Sequence, residues 1–166
     1  MNKRILKKTS INTRLGAMTA IADDNYLYLL AFSDRFDGER HTERFKNFSI
    51  ISGSTMILKN IEAELSRYFS EKNFIFKTPV KLMGTVFQNS VWRALQKISS
   101  GDTCSYAAIA QSIQKPTAYR AVANANAANP LAIIVPCHRV INATGEQGGY
   151  AGGVERKKWL LDYEKK

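Results

Sequence analysis

Residues 105–128 read SYAAIAQSIQKPTAYRAVANANAA and predict two short helices joined by a tight turn. Ser105 can cap a first helix that ends at Ile113, after which the chain turns. Pro116 suits the first turn of a second helix, which we expect at 117–128. This second helix is rich in alanine, and small side chains let a helix approach a groove or a neighbouring backbone closely. The pattern favours a helix-turn-helix, although packing against a protein core would explain the same alanines.

The segments around this motif complete a mostly helical second half. Apolar residues recur at helical spacing from Phe87 to Ile98, which predicts a helix before the motif. After the motif, the apolar run 131–135 predicts a buried strand that leads into Pro136-Cys137-His138. The glycine-rich segment 145–153 predicts a hairpin or wing, and a last helix is expected at 154–164.

The first half has a different pattern. Residues 15–22 and 26–32 predict two strands divided by a polar turn, whereas residues 34–53 are polar and irregular. A helix capped by Ser54 or Thr55 should follow, because apolar residues then recur at helical spacing. Alternation of apolar residues at 74–76 predicts a further strand.

These patterns predict an α+β protein of two domains. We place the boundary between Pro79 and Gly84, which divides the chain into an N-terminal α/β domain at 1–80 and a C-terminal domain at 81–166. The chain is 45% hydrophobic, enough for a substantial core.

Charge and cysteine content narrow the class of protein. The chain carries 24 Lys and Arg against 14 Asp and Glu, a formal net charge of +10, which suits a polyanionic partner such as DNA. Two cysteines form neither a disulfide framework nor a metal site, so we expect a reducing interior. Lys7 and Lys8 interrupt any signal core, and no apolar run approaches a membrane span. We expect a cytoplasmic protein with no membrane partner.

Cys137 and His138 are the candidate reactive groups. A thiolate is the reactive form of cysteine, and a nearby histidine that accepts its proton makes that form accessible. Adjacent side chains on extended backbone point to opposite faces, so a bridging water is simpler than a direct hydrogen bond. A third group is then needed to orient the imidazole. Taken alone, a cysteine followed by a histidine is more often a chance arrangement than a catalytic pair.

Several motifs occur together and in order in the second half. They are Gly84-Thr85-Val86-Phe87-Gln88 with Val91-Trp92, Gly101-Asp102-Thr103-Cys104-Ser105-Tyr106, Arg120-Ala121-Val122, Asn129-Pro130, Pro136-Cys137-His138-Arg139-Val140 and Gly149-Tyr150-Ala151-Gly152-Gly153. In these the chain resembles the O6-alkylguanine-DNA alkyltransferases, also called methylated-DNA-protein-cysteine methyltransferases. The resemblance implies an RNase H-like sheet plus helix in the N-terminal domain and a mostly helical winged helix-turn-helix C-terminal domain that binds DNA and carries out the transfer.

The resemblance also implies catalytic roles. Cys137 would take the alkyl group, His138 would accept the thiol proton through water, and Glu164 would orient His138. Tyr106 would help to rotate the nucleotide out of the duplex and to deliver a proton to the departing guanine.

Further residues would bind DNA or the flipped base. Arg120 would enter the stack where the base had been, and the second helix, with Thr117 and Ala121, would meet the minor groove. Asn129 would tie that helix to the active-site strand. The carbonyls of Cys137 and Val140, with Tyr150 and Ala151, would form the walls that read the guanine.

The implied partner is double-stranded DNA containing O6-alkylguanine, bound by a protein that is a monomer without DNA and uses no cofactor. Structural zinc is not expected, because residues 1–85 contain no cysteine and only His41. The chain departs from the family in having Ala123 where glycine is usual. Two other classes stay open: a winged-helix regulator without chemistry, which leaves Cys137 unexplained, and a cysteine hydrolase that turns over an ester or amide.

Overall fold

The computed structural model describes residues 2–36, 41 and 43–165, in two units that divide between Met83 and Gly84. This division falls within the interval 79–84 where the sequence places a domain boundary. The α+β class is confirmed, with a mixed four-stranded sheet and five α-helices in the described residues. None of these helices is long and apolar enough to cross a lipid bilayer.

The first unit contains a four-stranded sheet in the order β3-β2-β1-β4. Its strands are β1 (Arg4–Thr13), β2 (Gly16–Ala22), β3 (Leu27–Phe32) and β4 (Phe48–Ser52). Strands β1, β2 and β3 pair antiparallel, whereas β4 pairs parallel to β1. The predicted strands β2 and β3 are confirmed, and the turn between them is closed by Asp23, whose Oδ1 accepts the backbone N–H groups of Asn25 and Tyr26.

Strands β1 and β4 were not expected from the sequence. In β1 the buried residues Leu6 and Ile11 are separated by polar positions that include Lys7 and Lys8, so no apolar run marks the strand. Strand β4 lies at the edge of the sheet, and most of its residues are exposed. Burial on alternating faces and an edge position both weaken the hydrophobic pattern that identifies a strand.

The helix of this unit, α1 (Met56–Tyr68), begins as predicted. Thr55 Oγ1 accepts the Leu58 N–H at 3.2 Å, and the apolar face of the helix is buried. The strand predicted at 74–76 is wrong. Residues 74–76 pair with no other strand in the described part of the chain. Directly after them, the Glu64 carboxylate accepts the backbone N–H groups of Lys77 and Thr78 at 2.9 and 3.1 Å.

The second unit is mostly helical. It contains α2 (Val86–Leu95), β5 (Cys104–Ser105), α3 (Tyr106–Ser112), α4 (Tyr119–Ala127), a 3-10 helix (Cys137–Arg139), β6 (Val140–Ile141) and α5 (Val154–Lys165). Strands β5 and β6 pair in parallel. The fully buried indole of Trp92 donates from Nε1 to the Ala125 carbonyl at 2.8 Å, which ties α2 to α4.

The two helices predicted from residues 105–128 are present with shorter bounds. Ser105 caps α3 by accepting the Ala108 N–H at 3.1 Å, and Gln114 turns the chain with a φ of 61°. Helix α4 begins at Tyr119 rather than Thr117. The reason is a further turn at 115–118, which contains Pro116 and in which the Ala118 N–H bonds the Lys115 carbonyl at 2.9 Å.

Two other predictions for this unit are wrong. Residues 131–135 form consecutive turns instead of a strand, with Ile133 at a φ of 72° and the Val135 N–H bonded to the Leu131 carbonyl at 2.9 Å. The segment 145–153 contains no strand, so the predicted hairpin is wrong, and Gly145, Gly148 and Gly153 have positive φ. A wing built without strands stays a prediction. Helix α5 matches its predicted range to within one residue at its end.

Candidate active site

Cys137 lies on the 3-10 helix and is 3% exposed. The preceding turns are held by Asn129, whose Nδ2 donates to the Val135 carbonyl at 2.7 Å and whose Oδ1 accepts the Leu131 N–H at 2.9 Å. The Cys137 N–H itself bonds the Val135 carbonyl at 2.8 Å. A series of tight turns, rather than the end of a strand, therefore fixes the thiol.

The surroundings of the Cys137 thiol have opposing effects on its pKa. Burial raises the pKa, whereas the Asn129 side chain and the positive charge of Lys157 lower it, and the net shift is upward. A buried thiol with a raised pKa is mostly protonated at neutral pH. Its use as a nucleophile therefore requires a proton acceptor.

His138 can be that acceptor. Its imidazole is fully buried, and Nε2 lies 2.9 Å from Glu164 Oε1. Burial lowers the pKa of His138 and outweighs the opposite effect of Glu164, so the ring is neutral. An ionised carboxylate only accepts hydrogen bonds, so Nε2 carries the proton and Nδ1 keeps a lone pair. Within the described part of the chain, this buried Nδ1 has no hydrogen-bond partner.

Glu164 is held in its ionised form by Arg139. The guanidinium donates from Nε to Oε2 and from Nη2 to Oε1, each at 2.8 Å, and its Nη1 donates to the Ile98 carbonyl at 2.6 Å. Burial alone would raise the pKa of Glu164, but the hydrogen bonds from Arg139 and His138 hold it well below its usual range. Since Arg139 already balances the carboxylate, His138 can stay neutral.

The carboxyl end of helix α5 is approached closely by Gly101. This glycine has a φ of +89°, and a Cβ at this position would lie 3.1 Å from the Glu164 carbonyl oxygen. Both the backbone conformation and the space therefore favour glycine. This close contact places the loop before β5 against the last turn that carries Glu164.

Lys157 is a fully buried cation that sequence reasoning missed. Its Nζ donates to the Val140 carbonyl at 2.6 Å and to the Gly149 carbonyl at 3.2 Å. Burial lowers the pKa of Lys157, and the negative charge of a Cys137 thiolate would raise it. Lys157 lies between Arg156 and Lys158, and such a run of basic residues usually indicates a solvated helix face.

Sequence reasoning also missed two other residues of the site, Arg139 and Asn126. Arg139 directly follows the Cys-His pair, so its position was a usable signal for an ion pair with Glu164. Asn126 gave no such signal; it lies on α4 and donates from Nδ2 to the Cys137 carbonyl at 3.3 Å. The Val140 N–H bonds the same carbonyl.

Two predicted aromatic residues lie near the thiol. Tyr106 begins α3, and burial followed by the charge of Cys137 raises the pKa of its hydroxyl. The Tyr150 ring lies 6.4 Å from the His138 ring, centroid to centroid. Burial raises the pKa of Tyr150 well above its ordinary value, and among the described residues its buried hydroxyl has no partner. Ala151 next to it is exposed.

The remaining predicted residues lie on an exposed face around α4. Thr117, Arg120 and Ala121 are all solvent-exposed, and Arg120 Cζ lies 5.9 Å from the centroid of the Tyr119 ring. The described residues contain no group of three or more His, Cys, Asp or Glu side chains that could hold a metal ion. Together, the residues around Cys137 form a site with a buried thiol, a neutral imidazole and the Glu164–Arg139 ion pair, which orients the imidazole.

Known proteins resemble this chain over most of its length. Residues 86–166 match the family model of the 6-O-methylguanine DNA methyltransferase DNA-binding domain. A probable methylated-DNA-protein-cysteine methyltransferase of Acanthamoeba polyphaga mimivirus is 39% identical over 162 residues, covering 97% of this chain and 98% of that protein. A methylated-DNA-protein-cysteine methyltransferase of Mycolicibacterium paratuberculosis is 37% identical over 162 residues, covering 98% and 94%.

A solved structure has the same fold. The crystal structure of the Mycobacterium tuberculosis O6-methylguanine methyltransferase has a TM-score of 0.83 and 37% identity to this chain, covering 96% of this chain and 93% of that one. A structure from the same organism in complex with DNA has a TM-score of 0.81 and 36% identity, covering 97% and 92%.

Proposed function

Since this chain belongs to the methylated-DNA-protein-cysteine methyltransferase family, we propose that it repairs DNA by moving the alkyl group of O6-alkylguanine onto Cys137. The transfer is irreversible and each molecule acts once, because the thioether that forms is stable. The relatives' names and the DNA complex of one of them support a DNA substrate. The net charge of +10 supports binding to phosphates.

The reaction is a single displacement. His138 takes the thiol proton through a water at Nδ1, and the thiolate attacks the alkyl carbon. A carbon–sulfur bond forms while the bond from that carbon to the guanine oxygen breaks. Guanine takes up one proton with the help of Tyr106, which balances the proton that the thiol gave up. The step needs no cofactor, because a thiolate is a sufficient nucleophile for this carbon.

The observation that carries this proposal is the orientation of His138. Glu164 fixes the proton of the imidazole on Nε2, so Nδ1 keeps a lone pair that can accept a proton. His138 directly follows Cys137, and this lone pair is therefore the acceptor we assign to the thiol proton. Holding the alkyl carbon near the sulfur would then supply about 7 to 11 kcal/mol of the barrier through proximity and orientation.

We propose that α3 and α4 act as the helix-turn-helix of a winged-helix domain, and that residues 1–80 form an RNase H-like domain. In this proposal α4 enters the minor groove with Thr117 and Ala121, and Arg120 takes the place of the flipped nucleotide. Exposure of all three side chains supports this role. Asn129 orders the turns between α4 and Cys137. We propose that the protein is a monomer in the absence of DNA.

Base recognition would rest on Val140, Tyr150 and Ala151. The sequence also suggested the Cys137 carbonyl, but that oxygen already accepts the Val140 N–H and the Asn126 amide. Since a carbonyl oxygen has two lone pairs, these donors leave it little capacity for a base. The Val140 carbonyl also accepts a donor, Lys157 Nζ at 2.6 Å. We therefore propose that both carbonyls use their remaining acceptor capacity for the guanine edge, with Tyr150 and Ala151 completing the walls around the base.

The test is methyl transfer followed by intact-mass measurement. The protein is incubated with a duplex containing O6-methylguanine, and its mass should rise by one methylene group, located on Cys137 by peptide mapping. Cys137→Ser should show no gain. An unmodified Cys137 after binding would favour a regulator without chemistry, and ester or amide product beyond the amount of protein would favour a hydrolase.

Base flipping is tested separately through Arg120. Arg120→Ala should slow transfer from duplex DNA about tenfold or more, because the gap left by the flipped base is no longer filled. Transfer from the free base O6-methylguanine should keep its rate, since no stack is opened. Arg93→Ala, an exposed arginine on α2, is the matched control. Equal slowing with both substrates would contradict the role of Arg120.

A further inference from the structure

Asn126 is a buried residue whose side-chain amide contacts the 3-10 helix that carries Cys137. The residue is 4% exposed and lies near the end of α4. Its Nδ2 donates to the Cys137 carbonyl at 3.3 Å, while no donor in the described part of the chain reaches its buried Oδ1. The orientation of the amide follows from chemistry, because only the NH2 group can donate to a carbonyl.

This arrangement is a poor choice for stability alone. A buried carbonyl oxygen without a donor costs free energy, and an apolar side chain of similar volume would avoid that cost. The neighbouring positions of α4 that face the core, Val122 and Ala125, are apolar. A polar residue at 126 is therefore explained by what its NH2 group does at Cys137.

We propose that Asn126 is a positioning residue, which fixes the direction of the Cys137 carbonyl and with it the short 3-10 helix that carries the thiol. This inference rests on the proposed alkyl transfer. The hydrogen bond to the carbonyl complements the one from the Val140 N–H, so the peptide plane after Cys137 is held from two sides. The thiol then keeps one orientation relative to an incoming alkyl carbon, and a thiol held less firmly reacts more slowly.

Two substitutions separate this role from a structural one. Asn126→Leu removes the donor and the unpaired oxygen together, so thermal stability should be kept or improved. Single-turnover transfer from a duplex with O6-methylguanine should be about tenfold slower, with unchanged affinity for undamaged duplex. Val122→Ala is the matched control on the same helix, because it loosens the core without removing a hydrogen bond; it should lose more stability and slow transfer less.

Asn126→Asp supplies a second readout through pH. Burial raises the pKa of the introduced carboxyl, and its protonated form can still donate to the Cys137 carbonyl whereas its ionised form cannot. Transfer by this variant, relative to wild type, should therefore recover as the pH falls. The titratable groups around Cys137 are the same in both proteins, namely Tyr106, His138, Tyr150, Lys157 and the pair Arg139 and Glu164. The ratio of the two rates thus reports the charge state of the introduced carboxyl. Asn126→Leu adds no charge, so it separates the loss of the hydrogen bond from repulsion between a carboxylate and the Cys137 thiolate.

The outcomes are distinct. The positioning role is supported if Asn126→Leu transfers the methyl group slowly and if the transfer rate of Asn126→Asp, relative to wild type, recovers as the pH falls. Wild-type rates in Asn126→Leu, or a pH-independent rate ratio in Asn126→Asp, would overturn it. If the wild type itself transfers no methyl group, the proposed function fails instead, and the wild-type measurement in the same series identifies that case.

Discussion

Glu164 Oε1 lies 2.9 Å from His138 Nε2, and both side chains are buried. The two residues are 26 positions apart, so the contact exists only because the last turn of α5 packs against the 3-10 helix. Arg139 completes the arrangement with two hydrogen bonds to the same carboxylate. The proton acceptor of the site is therefore oriented by a buried ion pair.

Removing the charge of this carboxylate should impair transfer and folding together. Glu164→Gln should slow alkyl transfer roughly 100-fold, because the imidazolium formed during the reaction loses its counter-charge. It should also destabilise the fold by about 3 kcal/mol, since Arg139 loses its partner in a nearly buried site. Single-turnover kinetics and urea unfolding measure the two effects. Glu155→Gln, at an exposed position of α5, is the control, and equal behaviour of the two variants would contradict the assignment.

Folding stability should depend on pH through the same pair. The pKa of His138 is lowered in the folded state, so the unfolded chain takes up a proton that the folded chain does not as the pH falls below about 6.5. The pKa of Glu164 is also lowered, so further stability is lost below about pH 4.3. The unfolding free energy should thus decline in two steps on acidification.

Chemical unfolding at a series of pH values measures these steps. Glu164→Gln should lose the step at lower pH, because the amide does not titrate. A variant that retained the full acid dependence of the wild type would show that other carboxylates cause it.

The buried cation Lys157 should lower the pKa of the Cys137 thiol. Lys157→Met removes a positive charge that lowers the pKa of Cys137, so the thiol should react more slowly with iodoacetamide at pH 7. Stability should also fall by about 1 to 3 kcal/mol, because the Val140 carbonyl loses its donor. The exposed neighbour Lys158 provides the control in Lys158→Met. Identical pH–rate profiles for Lys157→Met and wild type would rule out the electrostatic role.

Gly101 provides a test of how the loop before β5 packs against the last turn of α5, which carries Glu164. Gly101→Ala and Gly145→Ala each place a side chain at a φ of +89° or +84°, which should cost about 1 to 2 kcal/mol. Of the two new Cβ atoms, only the one at position 101 makes a tight contact, at 3.1 Å from the Glu164 carbonyl oxygen. Gly101→Ala should therefore lose more stability and also slow transfer, as thermal unfolding and single-turnover rates will show. A larger loss at Gly145 would contradict the importance of this contact.

The local elements with strong patterns could be predicted, and those held by distant contacts could not. Helices α1 and α3 follow from their capping residues, Thr55 and Ser105. Helix α5 follows from the apolar and aromatic residues in its second half. The turns at 131–135 were mistaken for a strand, because an apolar run shows burial but not backbone conformation. Asn129, whose side chain bonds the backbone on both sides of these turns, decides that conformation.

The amino-acid sequence by itself determined which groups are chemically able to react and the family to which the chain belongs, because both depend on residue identity and order. Cys137, His138 and their motif needed no coordinates. The resemblance also assigned Glu164 to His138. Only the tertiary structure showed that Arg139 pairs with Glu164, that Lys157 donates to the Val140 carbonyl, and that Asn126 donates to the Cys137 carbonyl. The physical reason is that water solvates a charge or an amide, whereas burying such a group without a hydrogen-bond partner costs free energy. That partner is chosen by packing between segments far apart in the chain.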